Sequence, residues 1–225
     1  MENRKIRVGI THGDINGVGY EVILKTFSDP TMLELCTPVV YGSPKVAAYH
    51  RKAMEIQTSF SIVNSAEEVQ DGRVNVVNCI EEELKVELTK PTPEAGKAAL
   101  AALERALADY REGLFDVLVT APINKHPIQS EEFSFPGHTE YIEEKLGDGR
   151  KALMILMKDD FRVALVTGHI PVREIASAIT KELIQEKLVI FNRSLKQDFG
   201  IGAPRIAVLS LNPHAGDEGL LGTEE

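Results

Sequence analysis

The 225-residue sequence has no tryptophan, only 6% aromatic residues and just two cysteines, Cys36 and Cys79. Two thiols cannot build a disulfide framework or an all-cysteine zinc site, which removes the small stapled scaffolds. No apolar run nears the ~20 residues that cross a bilayer. Met1-Glu2-Asn3-Arg4-Lys5 leads into a strand, not into the apolar stretch of a secretion signal. Basic residues are in deficit, 25 Lys and Arg against 34 Asp and Glu, for a formal net charge of −9. That balance argues against a nucleic-acid surface. The sequence also lacks repeats and low-complexity segments, and Glu81-Glu82-Glu83 reads as a solvated turn. What is there, 43% hydrophobic and 26% charged residues, suits a cytoplasmic globular protein that handles small molecules.

Strand and helix patterns alternate. Short apolar strands are expected at 6–10, 38–41, 60–64, 73–78, 116–120, 152–157, 162–167 and 205–211. Ser43-Pro44 and Thr92-Pro93 read as a capping hydroxyl followed by proline in the first turn, each opening a helix. Ala99, Leu100, Leu103, Ala106, Leu107 and Tyr110 recur at helical spacing, and Ile184, Leu188, Phe191 and Leu195 do so again. A helix is expected near 139–146. Alternation of this kind predicts an α/β fold with a parallel or mixed sheet covered on both faces. Gly222-Thr223-Glu224-Glu225 reads either as a helix start with nothing after it or as a polar tail.

Sites in such folds collect at the carboxyl ends of strands, where four loops carry unusual residues. Thr11–Glu21 (T-H-G-D-I-N-G-V-G-Y-E) has glycines before a helix, which suits anion proximity or simply a tight turn, and matches neither the dinucleotide fingerprint nor a Walker loop. Val119–Lys125 (V-T-A-P-I-N-K) delivers Lys125, either a cation for substrate charge or proton transfer, or a plain surface lysine. Phe135–Glu140 (F-P-G-H-T-E) places His138 just before a helix, with Thr139 positioned to cap it. His169 and His214 each stand in a short loop after an apolar strand, the donor type of a divalent metal site. A third ligand would be His138 or a residue beyond Glu225. His12 and His126 have no comparable context, and His50 reads as a surface residue.

Taken in order, G-D-I-N-G-V-G, V-T-A-P-I-N-K, F-P-G-H-T-E-Y, R-V-A-L-V-T-G-H-I-P and L-N-P-H-A-G-D-E-G-L-L-G-T-E-E resemble the 4-hydroxythreonine-4-phosphate dehydrogenase family of pyridoxal phosphate biosynthesis. The resemblance spans nearly the whole chain. It implies a three-layer α/β/α fold with a mixed sheet, similar to isocitrate and isopropylmalate dehydrogenases, in two subdomains taken as 1–120 and 121–225. It implies oxidation with decarboxylation that uses NAD or NADP and a divalent metal (zinc, magnesium or cobalt), in a homodimer. Carried over motif by motif, His138 and Thr139 contact substrate and His169 and His214 bind metal. The third histidine ligand lies beyond Glu225, so the chain is expected to be an N-terminal fragment.

The family's first loop usually reads T-P-G-D-P-A-G-I-G-P-E. Here His12, Ile15, Asn16 and Tyr20 depart from it, which opens the alternative of a related branch acting on threonate or erythronate 4-phosphate. An inactive anion- or metal-binding fragment is a further reading, and a metal-dependent phosphohydrolase a weaker one. Apolar residues at Phe133, Phe135, Tyr141 and Ile142, with the strand 152–157, are the expected dimer surface.

Overall fold

Strands β1 (Ile6–Thr11), β2 (Cys36–Gly42), β3 (Phe60–Val63), β4 (Val74–Asn78) and β5 (Val117–Thr120) are dense in valine and isoleucine. Branched side chains of this kind suit a pleated surface that is packed on both faces. In the computed structural model, which describes residues 4–129 and 133–224, these strands form one parallel sheet in the order β3-β4-β2-β1-β5. The two-residue period of a strand divides its side chains between two layers. Ile10, Val40, Val74 and Val76 pack under α1 (Gly19–Thr26) and α3 (Pro44–Ala53), through Ile23, Phe27, Val46 and Ala47. Val39, Tyr41, Val63 and Val77 face α4 (Pro93–Arg111), whose Ala102 and Ala106 let the helix lie close to the sheet. A one-turn helix, α2 (Met32–Leu35), precedes β2.

The expected helix starts are present. Ser43 Oγ accepts the Val46 N–H at 3.4 Å with Pro44 in the first turn, and Thr92 Oγ1 accepts the Ala95 N–H at 3.3 Å with Pro93 in the first turn. Each proline sits where its missing N–H costs nothing.

Helix α5 (His138–Leu146) packs on α4. Phe133 and Tyr141 are fully buried among Leu100, Leu103 and Leu107, with Phe135 and Ile142 partly covered beside them. The Tyr141 hydroxyl donates to Glu104 Oε1 at 3.1 Å. These aromatics therefore serve the chain's own core, and the expectation that they form a dimer surface is corrected. Their hold on α4 also keeps residues 121–146 with the sheet. The compact units are Met1–Arg150 and Lys151–Glu225, where the sequence reading drew its boundary at 120/121.

In the second unit, β6 (Ile155–Lys158) and β7 (Phe161–Ala164) form an antiparallel hairpin turning at Asp159, with α6 (Ile175–Ala178) and α7 (Lys181–Gln197) after it. Thr180 caps α7 by accepting the Leu183 N–H at 3.1 Å, and α7 buries Phe191 and Leu195. The fold is α/β as expected, but its parallel and antiparallel strands belong to two sheets. Residues 205–211, expected as a strand, join no ladder among the described residues, and 222–224 start no helix. A strand is stable only when a neighbour takes its hydrogen bonds.

Candidate functional site

The loop after β1 leads to α1 on one face of the sheet, and the loop after β5 leads to α5 on the α4 face. Adjacent parallel strands whose loops diverge in this way leave a crevice at their carboxyl ends, the usual ligand position in open α/β sheets. Both loops read as functional from the sequence meet there. The Asp14 N–H donates to the Pro122 carbonyl at 2.9 Å. At Gly13, whose φ is +72°, a side chain would strike that same carbonyl.

The residues that depart from the family's first loop turn inward. His12, Tyr20 and His50 stack ring on ring, with centroids 5.2 and 5.5 Å apart. The Tyr20 hydroxyl donates to Ser43 O at 3.1 Å and accepts the Ser43 N–H at 2.8 Å. His12 Nε2 lies 3.2 Å from Ala98 O and His50 Nε2 2.8 Å from Ile15 O. His50, read as a surface residue, is thus buried under the loop; its helix faces the core at that position. The Asn16 amide donates to Lys90 O at 2.9 Å and Thr92 Oγ1 at 3.2 Å and accepts the Glu87 N–H at 2.8 Å. Burial lowers the His12 pKa from 6.5 to about 4, so the ring is neutral near pH 7. Sequence reasoning missed this support, whose only signal was two histidines and a tyrosine near a glycine loop.

The second loop crosses α4 at Gly96, where any Cβ would meet the Pro127 carbonyl. Asn124 Oδ1 accepts the His126 N–H at 3.2 Å and turns the chain, which leaves Lys125 exposed. His138 is the first residue of α5, and Gly137 is the cap with no side-chain bond. The expectation that Thr139 caps is therefore corrected: it sits half-buried in the first turn. Helix-start N–H groups have no intrahelical partner and favour an anion. His138 is half-buried, and burial first, then the positive charge of Lys125, hold its pKa below the ordinary 6.5. The structure thus puts His138 and Thr139 in the first turn of α5, with the Lys125 charge near enough to act on the His138 ring.

His169 and His214 both lie in the second unit, exposed, on loops. His169 has a φ of +55°. The His214 N–H donates to Asn212 Oδ1 at 2.9 Å, and Asn212 Nδ2 donates to Leu221 O at 3.0 Å, so one asparagine folds that loop. Imidazoles are the right donor for a divalent transition ion, but two are one fewer than the three protein ligands of a catalytic zinc site. No group of three metal-ligating side chains occurs among the described residues. As candidate ligands the two histidines fit in kind and fall short in number.

A sequence model of the family described as "Pyridoxal phosphate biosynthetic protein PdxA" matches residues 34–225. The 4-hydroxythreonine-4-phosphate dehydrogenase of Bacteroides thetaiotaomicron is 80% identical over the whole of this chain, which spans 62% of that relative. The corresponding enzyme of Sulfurihydrogenibium sp. is 36% identical over 98% of this chain and 67% of its own. Among solved structures, a 4-hydroxythreonine-4-phosphate dehydrogenase from Burkholderia phymatum superposes with a TM-score of 0.80 at 30% identity, covering 98% of this chain and 67% of that one. A putative one from Salmonella typhimurium gives 0.84 at 28% identity, covering 99% and 69%. Sequence and fold agree along the whole chain, which belongs to the PdxA family of pyridoxal phosphate biosynthetic proteins.

Proposed function

We propose that this chain carries the substrate-gripping part of an NAD(P)-dependent 4-hydroxythreonine-4-phosphate dehydrogenase. The observation that carries the reading is the α5 start, where His138 opens the helix close enough to Lys125 to feel its charge, in a chain of this family. Lys125 attracts an anionic end of the substrate. The first-turn N–H groups bind its oxygens, and His138 and Thr139 fix its orientation by hydrogen bonds. A bound anion also favours the imidazolium, so His138 takes up a proton as substrate arrives.

A bound nicotinamide would supply the hydride acceptor for the substrate's hydroxyl-bearing carbon. His169 and His214 are our choice for two ligands of the divalent ion, and imidazoles favour zinc or cobalt over magnesium. The relatives are longer than this chain, and turnover requires the parts of the family fold outside it.

The branch acting on threonate or erythronate 4-phosphate rested on the altered first loop. His12, Ile15, Asn16 and Tyr20 are all buried, so they change the loop's support and not the surface offered to substrate. That favours the threonine derivative.

Titrating the chain with 4-phosphooxy-L-threonine, and with inorganic phosphate, while following the His138 imidazole by NMR tests the site. A rise in the His138 pKa on binding, lost in Thr139→Ala or Lys125→Met, supports the reading. Binding that leaves His138 unmoved contradicts it.

A further inference from the structure

Where the first loop meets the second, the Asp14 N–H donates to the Pro122 carbonyl at 2.9 Å. The Asp14 side chain is half-buried, and its Oδ1 accepts the Asn16 N–H at 2.9 Å. No Lys, Arg or His among the described residues pairs with this carboxylate. Other acids of the same unit do take a cation: Glu21 from Lys25, Glu87 from Lys90 and Asp116 from Arg4. A carboxylate partly withdrawn from water and left without a counter-ion is a ready receptor for a positive group. The loop around it is held in place. Asn16 joins it to Lys90 and Thr92, and His50 Nε2 meets Ile15 O at 2.8 Å, so binding at Asp14 needs little ordering of the chain. Of the polar side chains between β1 and α1, His12 and Asn16 are buried, which leaves Asp14 to face a ligand. Lys125 follows Pro122 by three residues, at most about 11 Å of extended chain. One small molecule can therefore reach from the cation to the carboxylate at the ends of β1 and β5.

We propose that Asp14 is a specificity-determining residue, which pairs with the ammonium of an amino-acid substrate while Lys125 and His138 hold its anionic end. The inference rests on the proposed function and deepens it. The two substrate classes differ at the carbon beside the carboxylate. There 4-phosphooxy-L-threonine has an ammonium, and threonate and erythronate 4-phosphate have a hydroxyl. An ammonium brings three donors and a charge to Asp14, whereas a hydroxyl brings one donor and no charge. The hydroxy acids are also more negative by the missing ammonium, and Asp14 repels them the more for it. Both differences act in the same direction, so one side chain selects the amino acid.

The test compares the 225-residue chain with its Asp14→Asn variant, which keeps the Oδ1 acceptor for the Asn16 N–H and removes the charge. Each is titrated calorimetrically with 4-phosphooxy-L-threonine, erythronate 4-phosphate and inorganic phosphate, and the His138 imidazole is followed by NMR. In the parent chain the amino acid should bind at least about tenfold more tightly than the hydroxy acid. Asp14→Asn should bring the two to near-equal affinity and leave the affinity for inorganic phosphate unchanged. A preference that survives in Asp14→Asn, or a parent chain with no preference, overturns the proposal. So does a fall in phosphate affinity as large as the fall for the amino acid, because the substitution then acts on the anion site and not on the ammonium. If His138 stays unmoved by compounds that bind, the reading of the α5 start fails instead, and the affinity ratio still decides the role of Asp14. Absence of binding by all three compounds contradicts both.

Discussion

Two histidines of the first unit are held below their ordinary pKa chiefly by burial, His138 with a like charge added, and each gives a separate prediction. His12 is lowered from 6.5 to about 4 by burial, so the unfolded chain binds a proton more readily than the folded one. Its contribution to stability is complete above about pH 6.5 and is lost as pH falls toward 4, up to about 3 kcal/mol. Urea unfolding followed between pH 7 and 4 should show this slope, and His12→Phe, which keeps the stack on Tyr20, should flatten it. For His138 the like charge of Lys125 adds to burial. Lys125→Met should raise the His138 pKa, leave it below 6.5 because burial persists, and weaken phosphate binding. An NMR titration of the imidazole reads both effects. Asn16 is a third case. Its amide joins the first loop to Glu87, Lys90 and Thr92, and Asn16→Ala leaves three polar groups to find other partners. A loss of about 1–3 kcal/mol in unfolding free energy is expected.

At the scale of elements, α4 is the frame on which the site hangs. Its Gly96 lets the Lys125 loop pass, and its leucines hold Phe133 and Tyr141, which fix α5. Gly96→Ala should cost about 1–3 kcal/mol through overpacking and weaken phosphate binding by displacing Lys125, which thermal unfolding and titration measure separately. Helices such as α4 were legible because their signals are local: Thr92-Pro93 at the start and a 3.6-residue apolar repeat through the middle. The strands of the parallel sheet were legible for the same reason, as short valine-rich runs between turns. His50 was misread because its burial depends on a loop 35 residues earlier in sequence, which no local pattern reveals. Thr139 was misread as a cap because the helix starts one residue earlier, at His138, with a glycine before it. Residues 205–211 have a strand's composition, but composition does not supply a neighbour. Lys125 and His138 were singled out separately, and only the fold brings the Lys125 charge near enough to act on the His138 ring.

For the whole molecule, the aromatic segment around α5 no longer supports dimerisation, but one face of the β6–β7 hairpin exposes Leu156, Phe161 and Val163. Large exposed apolar side chains close together mark partner surfaces. The homodimer that the resemblance implies should therefore pair through this hairpin face, and Leu156→Glu with Val163→Glu should convert a dimer into a monomer in sedimentation at micromolar concentration. A chain that is monomeric before substitution would place the contact elsewhere in the family fold.

The central claim is that His138 and Lys125 grip the substrate of a dehydrogenase of this family. Its most direct test joins residues 1–225 to the remaining part of the Bacteroides thetaiotaomicron relative. The joined protein is mixed with 4-phosphooxy-L-threonine, a divalent ion and NAD or NADP, and the reduced nicotinamide absorbance is followed. The account predicts steady formation of reduced nicotinamide with this substrate in preference to threonate or erythronate 4-phosphate, and a fall in kcat/KM of at least about a hundredfold in His138→Ala, as loss of a charge-assisted contact implies. Full activity in His138→Ala, or no reduced nicotinamide from 4-phosphooxy-L-threonine by a folded and metal-loaded protein, would contradict it.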